Sequence, residues 1–182
     1  EREFSSIARQ IVLTSEKMLD LVKNLLDMNQ LESGKMNFRS VEFDILPMVQ
    51  GLIRQYKPQA AAKNIAIDSS LLLFSHHVFA DEQAVMQILD NLLSNAIKYS
   101  PHGKHIFIRV SSTEHNVRVE VQDEGPGISD DDKTKLFEKF ARLSARPTGG
   151  EHNTGLGLSI VKKLVESMNG SVWCESEVGK GA

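Results

Sequence analysis

The stretch DNLLSNAIKYS, residues 90–100, decides how this chain is organised. It predicts a helix with two faces, because Asn91, Asn95, Lys98 and Tyr99 recur at spacings of four, three and one and therefore share one side. The apolar residues around them are left to pack beneath: Leu89, Leu92, Leu93, Ala96 and Ile97. Two amides, an ammonium and a phenol above an apolar underside offer several polar groups to a ligand.

Two later stretches carry complementary polar features. QDEGPG, which begins at Gln122, sets Asp123 at the end of a predicted strand and follows it with a Gly-rich turn. TGLGLS, which begins at Thr154, sets two glycines just before another predicted helix, where backbone N–H groups can meet phosphate. Three patches in this order make a nucleotide site the leading hypothesis.

Composition limits the class of protein. The 182 residues, 41% hydrophobic and 25% charged, fit one compact domain plus an appendage. A net charge of −3 gives no general attraction to nucleic acid or anionic lipid. The single cysteine, Cys174, excludes an internal disulfide and suits a reducing compartment, and no apolar run reaches the roughly 20 residues of a bilayer span. We expect a cytoplasmic piece of a longer protein, whose parent could be membrane-anchored.

Residues 3–31 have the most regular pattern in the chain. Apolar and small side chains alternate spacings of four and three, as in a heptad seam: Phe4, Ala8, Ile11, Ser15, Met18, Val22, Leu25 and Asn29. Ile7, Leu19 and Leu26 widen that stripe, which favours a bundle of more than two helices. An amphipathic helix docked on its own domain is the alternative, but a length of about eight turns favours an intermolecular bundle. Gly34 is suited to the left-handed position that ends the helix.

The first half of the remaining chain alternates strands and helices. A strand at Val41 and Phe43 precedes a helix over residues 45–63, which Asp44 caps and Pro58 should kink or interrupt. Further strands are predicted at Ile65 to Ile67 and within residues 71–79. The central helix over residues 82–100 follows Asp81, its predicted cap.

The second half begins with an antiparallel hairpin over residues 106–110 and 117–121. We then expect a helix over residues 130–143 with Phe137 and Phe140 facing inward, and a mobile loop over residues 144–153. A helix over residues 156–168 and a strand over residues 171–175 complete the pattern, and a further strand after the final turn would be expected. This order predicts an α+β sandwich: a mixed, mostly antiparallel sheet covered by helices on one face.

Two side chains point to nucleotide chemistry, and each has a plainer explanation. A carboxylate at Asp123 can accept a hydrogen bond from the exocyclic amine of adenine, although it could simply cap a turn. The Asn95 amide oxygen suits Mg²⁺, although a lone mid-helix Asn usually faces solvent. The pairing with Asn91 one turn away lowers helix propensity and therefore requires a reason. The six histidines are scattered without ligand spacing, which makes zinc an unfavoured metal.

Four stretches resemble the N, G1, F and G2 boxes of bacterial sensor histidine kinases, in that order: NLLSNAIKYSPHG, DEGPGIS, LFEKFARLS and NTGLGLSIVKKLVESMNGSVWCESEVGKG. The resemblance covers about residues 37–182. These kinases belong to the GHKL superfamily, whose ATP-binding fold they share with gyrase and MutL. The resemblance therefore implies an ATP-binding catalytic domain.

The resemblance also implies a role for each matching position. Asn95 would ligate Mg²⁺ with support from Asn91, and Asp123 would hold the adenine amine. Residues 144–153 would form the lid over ATP. The remaining implied contacts are Lys98 and Tyr99 at the phosphates and ribose, Gly125 and Gly127 in the loop beside adenine, Arg142 at the γ-phosphate, and Thr154, Gly155, Leu156 and Gly157 around the phosphates. Arg142 and Asn91 would be the catalytic residues within this chain.

The N-terminal helix, ending LLDMNQLESGKM, is similar to the second helix of the hairpin that dimerises these kinases and carries their phosphoacceptor histidine. The implied organisation is a second hairpin helix over residues 1–34 with the first helix absent, a linker over residues 35–40 and the catalytic domain over residues 41–182. A homodimer through residues 3–31 would follow.

The chain departs from the family pattern in lacking the phosphoacceptor box and the last strand, and one position distinguishes it from the ATP hydrolysers of the fold. None of the six histidines has the acidic neighbour and later Thr-Pro or Asn-Pro of the phosphoacceptor box, so the acceptor is expected on another chain segment. The ATP hydrolysers of this fold carry a Glu base four residues before the metal-binding Asn, whereas this chain has Asn91 there. Because a histidine imidazole is already nucleophilic, Asn91 favours transfer to histidine over hydrolysis.

We therefore expect a protein-histidine kinase that transfers the γ-phosphoryl of ATP, with Mg²⁺, to a histidine on a dimerisation helix. A receiver domain of a response regulator would be the next acceptor. Two alternatives remain open at this stage. One is a GHKL-type ATPase, and the other is a non-catalytic domain that binds a nucleotide or a partner protein.

Overall fold

The computed structural model describes residues 2–71, 75–151 and 154–182, in two compact units, Glu1–Asn37 and Phe38–Ala182. The first unit contains one long helix, α1 (Arg2–Glu32), which confirms the predicted N-terminal helix. It ends as expected at Gly34, whose φ of 64° lies in the left-handed region. The apolar side chains of α1 that are exposed include Ile7, Ile11, Val12, Met18, Leu19, Val22, Leu25 and Leu26.

The second unit alternates short strands with helices. In chain order its elements are β1 (Ser40–Asp44), α2 (Ile45–Ala62), β2 (Ala66–Leu71), β3 (His77–Asp81), α3 (Glu82–Tyr99), β4 (His105–Ser112), β5 (Val117–Asp123), α4 (Asp130–Lys135) and α5 (Gly157–Ser167). The central helix α3 agrees with the predicted bounds to within a residue. The apolar run over residues 71–79 does lead into β3, although residues 72–74 lie outside the described part of the chain.

The strands form two sheets of different kinds. β1 pairs antiparallel with β3, whereas β4 lies between a parallel neighbour, β2, and an antiparallel neighbour, β5. The predicted hairpin is confirmed, with Ile108 opposite Val121 and Val110 opposite Val119. The architecture is thus a mixed α+β fold, as the pattern predicts.

The core lies between the sheets and the helices α2 and α3. Ile106, Ile108 and Val110 alternate along β4 and are almost completely buried. Leu89, Leu93 and other apolar residues of α3 pack in the same cluster, together with the buried face of α2. Because alternate residues of a strand face the same side, the predicted period of two places one row of β4 in the core.

Side-chain caps fix where α2 and α3 begin. The carboxylate of Asp44 accepts the N–H of Leu46 at 3.1 Å, and that of Asp81 accepts the N–H of Ala84 at 2.9 Å. These contacts satisfy N–H groups that have no partner within the helix. Both predicted caps are confirmed.

Pro58 is predicted to kink or interrupt the second helix; the interruption is wrong, and the kink stays a prediction. α2 runs through Pro58 without a break. Proline removes the hydrogen bond to the carbonyl of Arg54, but both residues lie on the exposed side, where water can satisfy that carbonyl.

The helix predicted over residues 130–143 is much shorter in the structure. α4 ends at Lys135, and Phe140 is 59% exposed with a left-handed φ of 57°. The buried residue is Leu136, while Phe137 is half-buried, so the expected inward pair of phenylalanines is wrong. The backbone N–H of Phe140 donates instead to the carbonyl of Gly155 at 2.9 Å, which joins this segment to the glycines before α5.

The predicted strand over residues 171–175 is also absent from the described structure. Its burial alternates as a half-buried strand would, but a strand requires a hydrogen-bonded neighbour and these residues pair with none of the five described strands. The final turn is present, with the N–H of Lys180 bonded to the carbonyl of Glu177. Within the described residues, none of the helices has the length and apolar character needed to cross a bilayer.

Candidate functional site

Helix α3 carries the first part of the candidate site. Asn91, Asn95, Lys98 and Tyr99 are half-buried, whereas four of the five apolar residues predicted beneath them are buried: Leu89, Leu93, Ala96 and Ile97. The prediction is wrong for Leu92, which is half-buried and lines the cleft. The hydroxyl of Tyr56 on α2 donates to the carboxylate of Asp90 at 2.8 Å. That bond helps fix the rotation of α3 and hence the direction in which its polar face points.

The three patches recognised in the sequence meet at one cleft. Six of the predicted site residues line it: Asn95, Tyr99, Asp123, Gly127, Gly155 and Gly157. They come from α3, from the turn after β5 and from the turn before α5, which are distant in the chain. The fold therefore brings these segments together around one large cavity, which many other residues of the domain also line.

Asp123 lies at the end of β5 with a largely buried carboxyl group. Burial raises the pKa of this carboxyl, and hydrogen bonds from the N–H groups of Gly125 and Ala182 offset the rise only in part. The Gly125 N–H donates to Asp123 Oδ1 at 2.8 Å, so the carboxylate also shapes the turn that follows it. A buried acceptor at a cleft wall suits a ligand that donates a hydrogen bond.

Glycine is required at two turns of the cleft because the backbone is left-handed and crowded there. Gly127 has a φ of 71°, and a methyl carbon at this position would lie 2.0 Å from the carbonyl oxygen of Glu177. Gly155 has a φ of 70°, and a methyl carbon there would lie 2.9 Å from Phe140 Cα. Any larger residue would have to move the backbone that walls the site.

Asn91 lies where α3 approaches the start of α5. Its amide Nδ2 donates to the carbonyl of Gln87 at 2.9 Å, and a methyl carbon on Gly157 would lie 2.6 Å from its Oδ1. The N-cap of α5 is Leu156, which is completely buried and has no polar side-chain atom to cap the helix. No side chain of the described residues caps this helix start, and N–H groups in the first turn of a helix can bind an anion.

The other predicted site residues lie less centrally. The Thr154 hydroxyl accepts the Leu156 N–H at 3.4 Å, which shapes the turn before α5. Lys98 uses its backbone carbonyl in the contacts described below. The side chain of Arg142 is exposed, and this residue is not among those that line the cleft.

For a metal, the donor set is that of a site completed by a ligand. Asn95 presents an amide group to the cleft, and among the described residues no group of three or more His, Cys, Asp or Glu could hold an ion. Mg²⁺ keeps several waters and is commonly bound by one or two protein oxygens plus substrate phosphates. The residues present therefore fit Mg²⁺ delivered together with a phosphate ligand.

Three residues near the site escaped the sequence analysis. Lys63, the C-cap of α2, is only 7% exposed and bonds to the end of α3 and to Glu151. Thr148 bonds to the same end of α3. A lysine just after a helix and polar residues in a loop are ordinary surface features in sequence, so only the fold distinguishes them.

Comparison with known proteins identifies the family. The model of the histidine kinase-, DNA gyrase B- and HSP90-like ATPase family matches residues 80–182, and the chain belongs to this family. It is 32% identical over 169 residues to the sensor histidine kinase WalK of Bacillus subtilis, in an alignment that covers 92% of this chain and 28% of WalK. The resemblance stated from the sequence boxes is thereby confirmed.

Solved structures agree with this assignment. Full-length ShkA in complex with AMPPNP is 29% identical with a TM-score of 0.79, over 92% of this chain and 35% of ShkA. The histidine kinase ThkA in complex with the response regulator protein TrrA is 25% identical with a TM-score of 0.73, over 94% of this chain and 46% of ThkA. The chain thus spans less than half of the length of each of these relatives.

Proposed function

We propose that this chain is the ATP-binding catalytic part of a sensor histidine kinase and transfers the γ-phosphoryl of ATP to a histidine on a dimerisation helix. The observation that carries the proposal is the single cleft that unites Asn95, Asp123 and the glycines before α5 in a chain of this family. AMPPNP, the ligand named for the ShkA structure, is an analogue of ATP, which agrees with a nucleotide in the corresponding cleft.

In this proposal the cleft holds the two ends of ATP separately. The buried carboxylate of Asp123 accepts a hydrogen bond from the adenine amine, and the turn at Gly125 and Gly127 lies beside the base. The N–H groups at the start of α5 and the turn at Gly155 bind the phosphates. The remaining assignments are Lys98 and Tyr99 beside the phosphates and ribose, Arg142 at the γ-phosphate, and the backbone from Thr154 to Gly157 around the phosphates.

Asn95 is the proposed Mg²⁺ ligand. Mg²⁺ bound with ATP supplies charge neutralisation for the transferred phosphoryl group. The chain's own part is to fix the position of the ion through the Asn95 amide oxygen and to align the phosphates along α3. Asn91 supports this arrangement from its place beside Gly157 at the start of α5.

The choice of histidine as acceptor rests on Asn91. An amide cannot accept a proton as a general base, and its Nδ2 is already bonded to the Gln87 carbonyl. Water would therefore be a poor nucleophile in this cleft, whereas an imidazole needs no such base. A receiver domain of a response regulator is the proposed next acceptor, and ThkA in complex with TrrA provides the precedent for such a partner.

The organisation of the chain completes the proposal. Residues 1–34 would be the second helix of the dimerisation hairpin, residues 35–40 the linker and residues 41–182 the catalytic domain. The exposed apolar side chains of α1 support a homodimer through residues 3–31. The single cysteine supports a cytoplasmic location.

The test is phosphorylation in trans. The chain is mixed with radiolabelled ATP, Mg²⁺ and a separate helical hairpin that carries the phosphoacceptor histidine of a related kinase. We expect acid-labile label on the hairpin, and Asn95→Ala should reduce it by about a hundredfold, the size of effect found when charge stabilisation is removed. Absence of label from the hairpin, in protein that binds ATP, would contradict the kinase proposal.

The rate of steady ATP hydrolysis distinguishes the proposed kinase from the main alternative, a GHKL-type ATPase. A GHKL-type ATPase would release phosphate continuously from ATP without any hairpin present. We expect release that is much slower than labelling of the hairpin, because Asn91 provides no base. Sustained release at the same rate with and without hairpin would support the ATPase instead.

A further inference from the structure

A partly buried ion pair connects the proposed lid to the helix that carries the proposed nucleotide-binding amides. The ammonium of Lys63 donates to Glu151 Oε1 at 2.9 Å and to the carbonyls of Ile97 and Lys98 at 2.7 and 3.2 Å. All three N–H bonds of the ammonium can thus be used, which explains how a lysine is tolerated at 7% exposure. The contacts join α2, α3 and the loop at one point.

The end of α3 is a suitable place for such a charge. The last carbonyls of a helix lack partners within it and carry the negative end of its dipole. Ile97 and Lys98 belong to the last turn of α3. Lys63 therefore stabilises the end of α3 and, with the same ammonium, draws the carboxylate of Glu151 onto it.

Thr148 makes a second attachment between the loop and α3. Its backbone N–H donates to the carbonyl of Lys98 at 2.9 Å. Its hydroxyl lies 3.1 Å from the same carbonyl and 2.7 Å from the carbonyl of Ser100. We use the name lid loop for residues 144–151, and these bonds hold its second half against the end of α3.

Glu151 also shapes the lid loop itself. Its Oε2 accepts the N–H of Gly149 at 2.8 Å while its Oε1 accepts the Lys63 ammonium. One carboxylate therefore closes a tight turn and fastens that turn to the domain. At the other end of the lid loop, the hydroxyl and N–H of Ser144 both bond to the carboxylate of Asp132.

We propose that Lys63, Glu151 and Thr148 form an anchor that holds the lid loop on the end of α3 and thereby sets the rate at which nucleotide leaves the cleft. Lys63 is a positioning residue in this account, because it acts on the loop and not on ATP. The kinetic role rests on the proposed function, since it requires a nucleotide beneath the loop. The attachment itself does not.

The first measurement is hydrogen exchange of the backbone amides in nucleotide-free protein. Glu151→Gln removes the charge of the carboxylate and Thr148→Val removes the hydroxyl, while both nearly keep the side-chain volume. We expect the amides of Gly149 and Thr148 to exchange about tenfold faster in each variant, with unchanged exchange in α5. Glu166→Gln, which removes a carboxylate paired with Lys162 on the exposed side of α5, is the matched control and should leave the lid loop unchanged.

The second measurement is the dissociation rate of a fluorescent ADP analogue with Mg²⁺. We expect Glu151→Gln and Thr148→Val to release it about tenfold faster than the parent chain, which corresponds to about 1.4 kcal/mol. Lys63→Met, combined with Glu151→Gln, should accelerate release no more than Lys63→Met alone, because both changes break the same contact. The Lys63 variants are interpreted only where their unfolding remains cooperative.

The two measurements separate the proposals. Unchanged exchange in the lid loop of both Glu151→Gln and Thr148→Val would overturn the anchor, whatever the nucleotide does. Faster exchange with unchanged release of the ADP analogue would overturn its role in nucleotide release. If exchange is faster in the variants but the chain binds no nucleotide, the attachment of the lid loop to α3 stands. The proposed function, and with it the role of the anchor in nucleotide release, would then be refuted.

Discussion

At the scale of single residues, the buried carboxyl group of Asp123 suits ligand binding but lowers the stability of the fold. Burial raises the pKa of its carboxyl above the ordinary value of 3.8. Because the folded-state pKa exceeds the unfolded one, protonation favours folding, and this contribution is lost as the pH rises from about 3.8 through the raised value. At neutral pH the ionised, partly desolvated carboxylate therefore lowers stability, as is common for groups retained for binding.

This conflict gives a prediction for nucleotide-free protein. Asp123→Asn keeps an oxygen that can accept the Gly125 N–H but removes the titrating charge. We expect the free energy of unfolding of the variant, relative to the parent, to rise with pH above about 3.8 and to be flat below it, as measured by urea unfolding across that range. Glu166→Gln is the matched carboxyl-to-amide control. A parent chain that is more stable than Asp123→Asn at neutral pH would contradict the assigned cost of burial.

Crowding at Gly155 gives a second prediction at this scale. Gly155→Ala and Gly150→Ala both place a side chain at a left-handed φ, 70° and 73° respectively, which costs about 1 kcal/mol. Only at Gly155 does the new methyl group meet backbone, 2.9 Å from Phe140 Cα. We expect Gly155→Ala to lower the free energy of unfolding by at least about 1 kcal/mol more than Gly150→Ala. Equal effects in denaturant titrations would show that Phe140 does not wall the turn.

The spacing of residues in the sequence predicted the polar face of α3. It did not predict the anchor formed by Lys63, Glu151 and Thr148. Asn91 and Asn95 are separated by one turn, and that local spacing survives in any fold that keeps the helix. Lys63 and Glu151, by contrast, become partners only because α2, α3 and the lid loop meet. Contacts between distant segments depend on tertiary packing, and the periodicity within one segment does not predict them.

At the scale of elements, the course of α2 gives a third prediction. Proline removes a backbone hydrogen bond within an otherwise continuous helix, at an exposed position with room for any small side chain. We expect Pro58→Ala to raise the free energy of unfolding by about 1 kcal/mol, less than the full propensity difference because proline also restricts the unfolded chain. Gln59→Ala, at the neighbouring exposed position, is the control. A loss of stability on Pro58→Ala would show that Pro58 has a packing role.

Two errors at this scale have one physical origin. The period of residues 130–143 suits a helix, but after Lys135 the backbone makes tight turns in which Leu136 bonds to Lys133 and Glu138 bonds to Lys135. Further along, the left-handed φ of Phe140 and its hydrogen bond to Gly155 keep the helix from resuming. The alternation of residues 171–175 suits a strand, but a strand exists only with a paired neighbour. In both cases the local pattern was read correctly, and a partner elsewhere in the fold decided the outcome.

At the scale of the whole molecule, the exposed apolar side chains of α1 make a fourth prediction. Leu19 and Val22, 69% and 52% exposed, would cost free energy if they remained in water. We expect the chain to self-associate, and Leu19→Asp with Val22→Asp should shift it toward monomer in sedimentation equilibrium. Lys23→Gln, at an exposed position on the same helix, should not. A strictly monomeric mass for the parent chain at high concentration would contradict the proposed dimer.

The family and the fold class were predictable because they depend on motifs in series and on element order. Four boxes with the correct order and spacing identified the ATPase family, and the hairpin, caps and central helix followed from local patterns. The meeting of Asn95, Asp123 and Gly155 in one cleft depended on the packing of α3, the turn after β5 and the start of α5. From the sequence, that meeting was a hypothesis based on the order of three polar patches and on the resemblance.

The most direct test of the central claim is the shift in melting temperature caused by Mg-ATP, measured for the parent chain and for Asp123→Asn. A ligand that binds only the folded protein stabilises it by RT ln(1 + [L]/Kd), about 2.7 kcal/mol at a hundredfold excess over Kd. We predict a clear upward shift for the parent chain and its loss in Asp123→Asn, while Glu166→Gln responds as the parent does. A shift of equal size in the parent chain and in Asp123→Asn would show that Asp123 does not bind the adenine. The absence of a shift in both proteins would contradict the proposed ATP-binding site.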